Sequence, residues 1–343
     1  MRVRKNIPLS KYTTLKTGGR ARYMAWIEDE KELEKVIQIA KSKGLDFDVL
    51  GGGSNVLAPQ KGFDGLIIKI NIYEKSYDSQ GKTTLLKVGA GQNWDSLVKE
   101  TTSKGLWGIE NLSGIPGTVG AAPIQNIGAY GQEVSKCIEY VKVFSLEKMN
   151  YFKLKPEACK FGYRDSIFKN TNNSLIITEV AFRLQDNSSP CLEYNDLRDY
   201  FSDYDYSPNV KDVRKAVLDI RKNKFPSKKE FGTAGSFFKN PVISQSKYNE
   251  LKGYYENLPG HEKDNGQIKI PLAWIFDKLF DLNGYSEKGV RFFEKQPLVV
   301  VNEGRASSKD ILKVTQKVAR KVKNELGIEL QREVRGLEGM GAG

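Results

Sequence analysis

Between Gly108 and Gly131 the sequence loses all helical and strand periodicity, yet it carries six glycines together with Ile109, Leu112, Ile115, Val119, Ile124 and Ile127. A segment this long without regular structure inside a compact domain is either functional or disordered. This one is too apolar for a solvated linker. It reads as an ordered loop wrapped round a ligand, and the rest of the chain reads as the frame that holds it.

That frame alternates helices and strands. Asp29–Lys43 is predicted as a helix with Leu33, Val36, Ile37 and Ala40 on one face and Asp29 as its cap. Strands are predicted at Phe47–Leu50, Leu66–Ile70 and Leu85–Gly89, and a helix over Asn93–Lys104. Beyond the loop, Tyr140–Phe144 and Ser174–Val180 read as strands. Val210–Lys222 reads as a helix that bridges into another domain. That domain is expected to hold a helix at Pro271–Phe280 with proline in its first turn, and a buried strand at Leu298–Val301. A long helix over Lys309–Leu326 follows, capped by Ser307 or Ser308, with Ile311, Val314, Val318, Val322 and Leu326 as its apolar face. At 343 residues the chain exceeds one ordinary core, so two or three domains are expected.

Several function classes are disfavoured. Three widely spaced cysteines (Cys137, Cys159, Cys191) and a single histidine, His261, suggest no disulfide framework and no metal site. The basic start leads into no apolar run, and no apolar stretch is long enough to span a bilayer, so a cytoplasmic protein without a membrane partner is expected. The net charge of +12 is dispersed among acidic residues. Its densest stretch, Arg221–Lys224, is short and lacks interleaved aromatics. That pattern fits a basic enzyme for polyanionic small molecules better than a nucleic-acid binder.

Gly51-Gly52-Gly53-Ser54-Asn55 follows a strand directly. Glycines there let backbone N–H groups converge on a phosphate. The run fits neither the dinucleotide fingerprint nor the P-loop. Alone it reads equally as a structural turn; beside the glycine-rich loop, the cradle reading gains.

Longer motifs are more specific. Thr14–Gly19, Leu50–Leu57, Gly114–Gly131, Phe161–Ser166, Gly235–Pro241 and Glu333-Val334-Arg335 follow one another in an order that resembles the UDP-N-acetylenolpyruvoylglucosamine reductase family over nearly the whole chain. The insert Leu192–Asp196 resembles that family's tyrosine-loop subclass. The resemblance implies an α+β protein: a two-lobed FAD-binding domain of the vanillyl-alcohol-oxidase (PCMH) type and a separate α+β substrate-binding domain. The lobes are expected at 1–70 and 71–209, the substrate domain at 210–327, and a tail returning to the active site at 328–343. It further implies FAD, NADPH as reductant and UDP-N-acetylenolpyruvoylglucosamine as substrate; a monomer is expected, and non-covalent FAD, because His261 lies far from the cradle and Cys137 falls outside the loop.

By the same resemblance, Leu50, Gly51, Gly52, Gly53, Ser54 and Asn55 hold FAD with Ile115, Pro116, Gly117, Gly120, Ala121 and Ala122. Gln125, Asn126, Gly128, Ala129 and Tyr130 complete that set. Ala121-Ala122 departs from the small hydroxyl residues of some relatives. Tyr163, Tyr194, Lys224, Asn240 and Gln296 are implied to bind substrate, and Arg164, Ser236 and Glu333 to be catalytic. The chemistry asks for such a trio. An enolpyruvyl ether that accepts hydride gathers negative charge beside its carboxylate and then needs a proton. Arg164 suits the carboxylate and Ser236 the proton donation. Glu333 is expected to be protonated or to act through a hydrogen-bonded partner. The bland alternatives are a surface ion pair for Arg164, a turn serine for Ser236, an exposed charge for Glu333 and a packing aromatic for Tyr194. The rival functions are an oxidase on the same flavin fold and a non-catalytic nucleic-acid binder.

Overall fold

The structure, a computed structural model, describes residues 1–170, 174–227, 230–263 and 265–337. Of the expected tail, 338–343 lie outside the described residues.

The first sheet has the order Arg2–Pro8, Arg20–Ile27, Phe63–Ile70, Phe47–Val49, antiparallel at the first pair and parallel at the others. Its central strands alternate between two buried faces: Ala25 and Ile27 join one cluster, Met24 and Trp26 another. Burial on both faces is what parallel strands require. Helix Glu30–Ser42 covers one face with the predicted Leu33, Val36, Ile37 and Ala40, and Asp29 caps it by accepting from the Glu32 N–H at 2.8 Å. The sequence reading missed Arg2–Pro8. It is an edge strand, mostly exposed and largely polar, and it exists because Arg20–Ile27 supplies its hydrogen bonds.

The second sheet is antiparallel, in the order Asn150–Leu154, Ile138–Ser145, Leu175–Gln185, Thr83–Gly89, Lys75–Gln80. Leu86, Val88, Val180 and Phe182 share a single core with Ala25, Ile37 and Ile68 of the first sheet. Trp94, which opens helix Trp94–Ser103, is buried in that core and donates its indole N–H to Leu112 O at 3.0 Å. The frame therefore grips the loop from within.

Helix Val210–Lys224 packs Val213, Ala216 and Val217 against Trp107, Tyr130, Leu197 and Phe201. A further core lies beyond it. There Val300 of the antiparallel sheet Gly232–Ser236, Val299–Asn302, Val290–Phe292, Ser286–Glu287 meets Phe276, Phe292 and the predicted face of helix Ser308–Leu326. Ser307 is the cap, in a reciprocal box with Asp310, and Gly327 ends the helix in the left-handed region at φ 68°. The helix expected from Pro271 starts at Leu272, because Pro271 has an extended ψ of 100°. No helix among the described residues is long and apolar enough to cross a membrane. The α+β class expected from the sequence is the class observed.

The N-terminal segment staples this last sheet to the rest. Thr233 N–H donates to Thr14 O at 2.9 Å, and Asn302 Nδ2 donates to Leu15 O at 2.9 Å. Asn302 Oδ1 accepts from the Gly304 and Ala306 N–H groups, and the residue is 2% exposed. Replacing it leaves buried groups unpaired on both sides. Asn302→Ala is expected to lower unfolding free energy by at least about 2 kcal/mol, measured by urea denaturation.

Candidate active site

Strand Phe47–Val49 ends in the turn Gly51–Asn55, whose shape only glycine allows at one point. Gly53 has φ +64°, and a Cβ there would sit 1.9 Å from Tyr12 O. A Cβ on Gly52 would come within 2.7 Å of Gly117 Cα, so the turn and the loop touch backbone to backbone. Among the described residues, none of the N–H groups of Gly51 to Asn55 meets a protein acceptor. Consecutive unpaired N–H groups in a turn make an anion-binding concavity.

The loop expected to be ordered is ordered, as short 3-10 turns at Glu110–Leu112 and Val119–Ala121 and a small hairpin, Gly128–Ala129 with Gln132–Glu133. Ser54 Oγ donates to Pro116 O at 2.9 Å, and Asn55 Nδ2 donates to Gln125 Oε1 at 2.7 Å. Asn126 is 1% exposed, and its amide ties the loop to the chain beyond it through Glu133, Gly162 O and the Ser135 N–H. It holds the loop and does not line the clefts described next. Ala121 and Ala122 bring no hydroxyl, but Thr118 lines the same wall, its Oγ1 beside Gly51.

Three connected clefts lie between these parts. One of about 780 Å³ is walled by Gly51–Asn55 on one side and by Ile115, Pro116, Gly117 and Gln125 on the other. An arm of about 550 Å³ runs between Leu50, Ala90, Gly120 and Ile177. A wider cleft of about 1130 Å³ opens toward the last sheet and is lined by Gly128, Ala129, Tyr130, Arg164, Ser236 and Glu333, among others.

Arg164 sits in the tight turn Gly162–Asp165 at φ 53°, in the left-handed region that side-chain-bearing residues adopt uncommonly. Its Nη2 donates to Gly128 O at 2.6 Å, and its Nε lies 3.4 Å from Glu333 Oε1. Arg164 is thus neither a surface ion pair nor free, and Glu333 is not an exposed charge. The tail carries Glu333 into the cleft: Glu333 N–H donates to Phe237 O at 2.9 Å, and Arg335–Gly336 pairs in parallel with Val56–Leu57. Ser236 ends its strand opposite Val299, just before Phe237.

The substrate-side residues fall around them. Gln296, Asn240, Lys224 and Tyr194 all line the wide cleft. Gln296 Oε1 is buried there with no hydrogen-bond partner among the described residues. Asn240 Oδ1 accepts from the Leu272 N–H at 3.0 Å, and Lys224 is paired with Asp196. Tyr194 is 45% exposed, its ring edge-on to Tyr130 at 5.4 Å. Tyr163 lies under the Arg164 and Lys269 cations, beside the cleft-lining Asn240.

Two cations were missed by the sequence reading. Arg221, noted only as part of a short basic stretch, is half-buried and lines the wide cleft; burial pulls its pKa down, opposed by Tyr130 and Asp95. Lys169 donates to Arg164 O at 3.1 Å and lines the cleft beside Glu333; its pKa is lowered by burial and then by Lys239. The only signal for Lys169 in the sequence is its position shortly after Arg164.

Burial raises the pKa of Glu333, and Arg164, Lys169 and Lys239 oppose the shift without reversing it. The folded state therefore binds the extra proton. The stability this contributes is complete below the ordinary carboxylate range and is lost as pH rises through the raised value. Glu333→Gln, always neutral, should gain thermal midpoint relative to wild type as pH rises above the ordinary carboxylate range. A difference that is flat with pH, or of opposite sign, would mean that the cations outweigh burial.

FAD fits these walls. Its diphosphate matches the unpaired N–H groups, and flat aromatic rings match the apolar lining. Residues 21–147 match the model of the FAD binding domain family, and residues 226–337 that of the UDP-N-acetylenolpyruvoylglucosamine reductase C-terminal domain. A UDP-N-acetylenolpyruvoylglucosamine reductase of Amoebophilus asiaticus is 38% identical over 339 residues, covering 97% of this chain and 99% of the relative. One of Pseudomonas aeruginosa is 32% identical over 335 residues, with 97% and 98% covered. Among solved structures, UDP-N-acetylenolpyruvylglucosamine reductase from Thermus caldophilus superposes with a TM-score of 0.69 at 26% identity, covering 98% of this chain and 99% of that one. The chain is an FAD-containing oxidoreductase and belongs to the UDP-N-acetylenolpyruvoylglucosamine reductase family.

Proposed function

We propose that this protein carries out the NADPH-dependent, FAD-mediated reduction of UDP-N-acetylenolpyruvoylglucosamine to UDP-N-acetylmuramate, a step of peptidoglycan precursor synthesis in the cytoplasm. The observation that carries this reading is the convergence of Arg164, Glu333 and Ser236 on one cleft beside the cradle. In this reading the sheets up to residue 209 are the flavin lobes, and 210–327 is the substrate domain of a monomer. Gly51–Asn55 holds the diphosphate of FAD, and the Gly114–Gly131 loop lines the ring side. The attachment is non-covalent: Cys137 is buried with its thiol pushed up to about 12, and it donates to Gly108 O.

When bound, FAD supplies the hydride that it has received from NADPH. Addition to the terminal carbon of the enolpyruvyl group moves negative charge onto the adjacent carbon and its carboxylate. Arg164 is aimed at that carboxylate, since Gly128 O and Glu333 use only part of its donor fork. Glu333, kept toward its neutral form by burial, can donate a hydrogen bond to the developing charge where a bare carboxylate would repel it. Ser236 Oγ–H then gives its proton to the adjacent carbon, completing the saturated ether. Lys224, held by Asp196, and Gln296, whose buried amide oxygen has no partner among the described residues, offer polar contacts to the nucleotide sugar together with Asn240 and Tyr194.

Anaerobic NADPH should bleach the yellow protein, and the enolpyruvyl substrate should restore its colour. A protein that takes up no FAD rejects the reading, and recolouring by oxygen alone favours an oxidase. In Ser236→Ala, bleaching by NADPH should stay close to wild type while recolouring by substrate slows by roughly 10²–10⁴, the usual weight of a positioned proton donor. Loss of both half-reactions together would make Ser236 structural.

A further inference from the structure

We propose that Lys69 is a positioning residue and counter-charge for the diphosphate of FAD, acting through the Gly51–Gly52 peptide. The proposal rests on the reading of Gly51–Asn55 as the diphosphate cradle.

Lys69 is the one charged residue in the apolar strand stretch Leu66–Ile70, whose Ile67 and Ile68 are fully buried. Its ammonium reaches the cradle and donates to Gly51 O at 2.7 Å. No carboxylate pairs with it among the described residues, and burial pulls its pKa down. A half-buried ammonium with only a neutral carbonyl as partner is a cost to the fold unless an anion arrives nearby.

The direction of the contact says where that anion belongs. In a trans peptide the C=O and the following N–H point opposite ways. Lys69 draws the Gly51 carbonyl to the back of the turn, so the Gly52 N–H faces away from the lysine. The Thr14 N–H does the same to the Gly53 carbonyl at 3.0 Å, which turns the Ser54 N–H outward as well. Neither N–H has a protein acceptor among the described residues, and both residues wall the cleft. A cation bonded to the carbonyl end of a peptide polarises it and strengthens the donor at the other end. Lys69 thus delivers positive charge to the cradle without occupying it.

A structural pin and a counter-charge make opposite demands on the FAD-free chain. If Lys69 merely pins the turn, removing it destabilises the protein with or without FAD. If it is a counter-charge, the FAD-free chain loses little, because among the described residues the ammonium has no anionic partner there and its hydrogen bond to Gly51 O is offset by the cost of burying the charge. The test measures the FAD dissociation constant and the thermal midpoints of the full chain with and without FAD, for wild type, Lys69→Met, Lys69→Gln and Lys69→Arg. We expect Met and Gln to weaken FAD by about tenfold or more, the scale of one hydrogen bond to a charged group. Their FAD-free midpoints should equal or exceed wild type, and Lys69→Arg should recover most of the affinity. Unchanged affinity in Met and Gln overturns the proposal. So does a lowered FAD-free midpoint, failure of both to fold, or failure of Arg to rescue. Wild type that takes up no FAD instead rejects the cradle reading, and the proposal with it.

Discussion

Asn55 is the knot on which the site depends. Its side-chain amide donates to Gln125 Oε1 in the loop and, at 3.2 Å, to Glu333 O in the tail, while its own carbonyl accepts from the Arg335 N–H at 3.0 Å. Cradle, loop and tail come from distant parts of the chain, and each has too little regular structure to hold its own shape. Joined at Asn55 they become one rigid wall. Arg335 strengthens the knot by reaching Asp48, fully buried in the first sheet, at 3.0 Å. Because Glu333 lies on the tail, the same bonds that close the cleft also deliver an acid into it.

The electrostatics of the cleft follow from that delivery. Glu333 enters a site that already holds Arg164, Lys169 and Lys239, and each of these favours its charged form. Desolvation works against all three and is the largest effect, because a buried carboxylate gives up water that the cations only partly replace. The left-handed turn at Arg164 belongs to the same arrangement: its guanidinium spans Gly128 O and Glu333, and its carbonyl takes the Lys169 ammonium. The left-handed backbone at this one residue is thus held by contacts with other segments.

Much of the frame was legible in the chain. Helix Glu30–Ser42 and helix Ser308–Leu326 show their apolar faces and caps as written, because periodicity and capping are local properties. Edge strand Arg2–Pro8 was not legible, since nothing within it requires pairing until its neighbour is in place. In the site, the motifs pointed to Arg164, Ser236 and Glu333, which do converge on one cleft. Asn126 has its amide turned to Glu133, and Tyr163 lies under the Arg164 and Lys269 cations; neither arrangement is visible in the motif itself. The motifs passed over Arg221 and Lys169, whose importance comes from burial, and burial is a property of the folded chain.

By itself, the sequence determined the kind of protein. A glycine turn after a strand and an apolar glycine-rich loop mark a ligand cradle, because glycine geometry and apolar content act through neighbours in the chain, and six ordered motifs carry the resemblance to a flavin-dependent family. Only the tertiary structure decided how charge is used there. Whether Glu333 is neutral, whether Lys224 has a partner, and what Lys69 is for all depend on distances between residues far apart in sequence. Coulomb interaction and desolvation are set by those distances and by water exclusion, and neither exists until the chain has closed on itself.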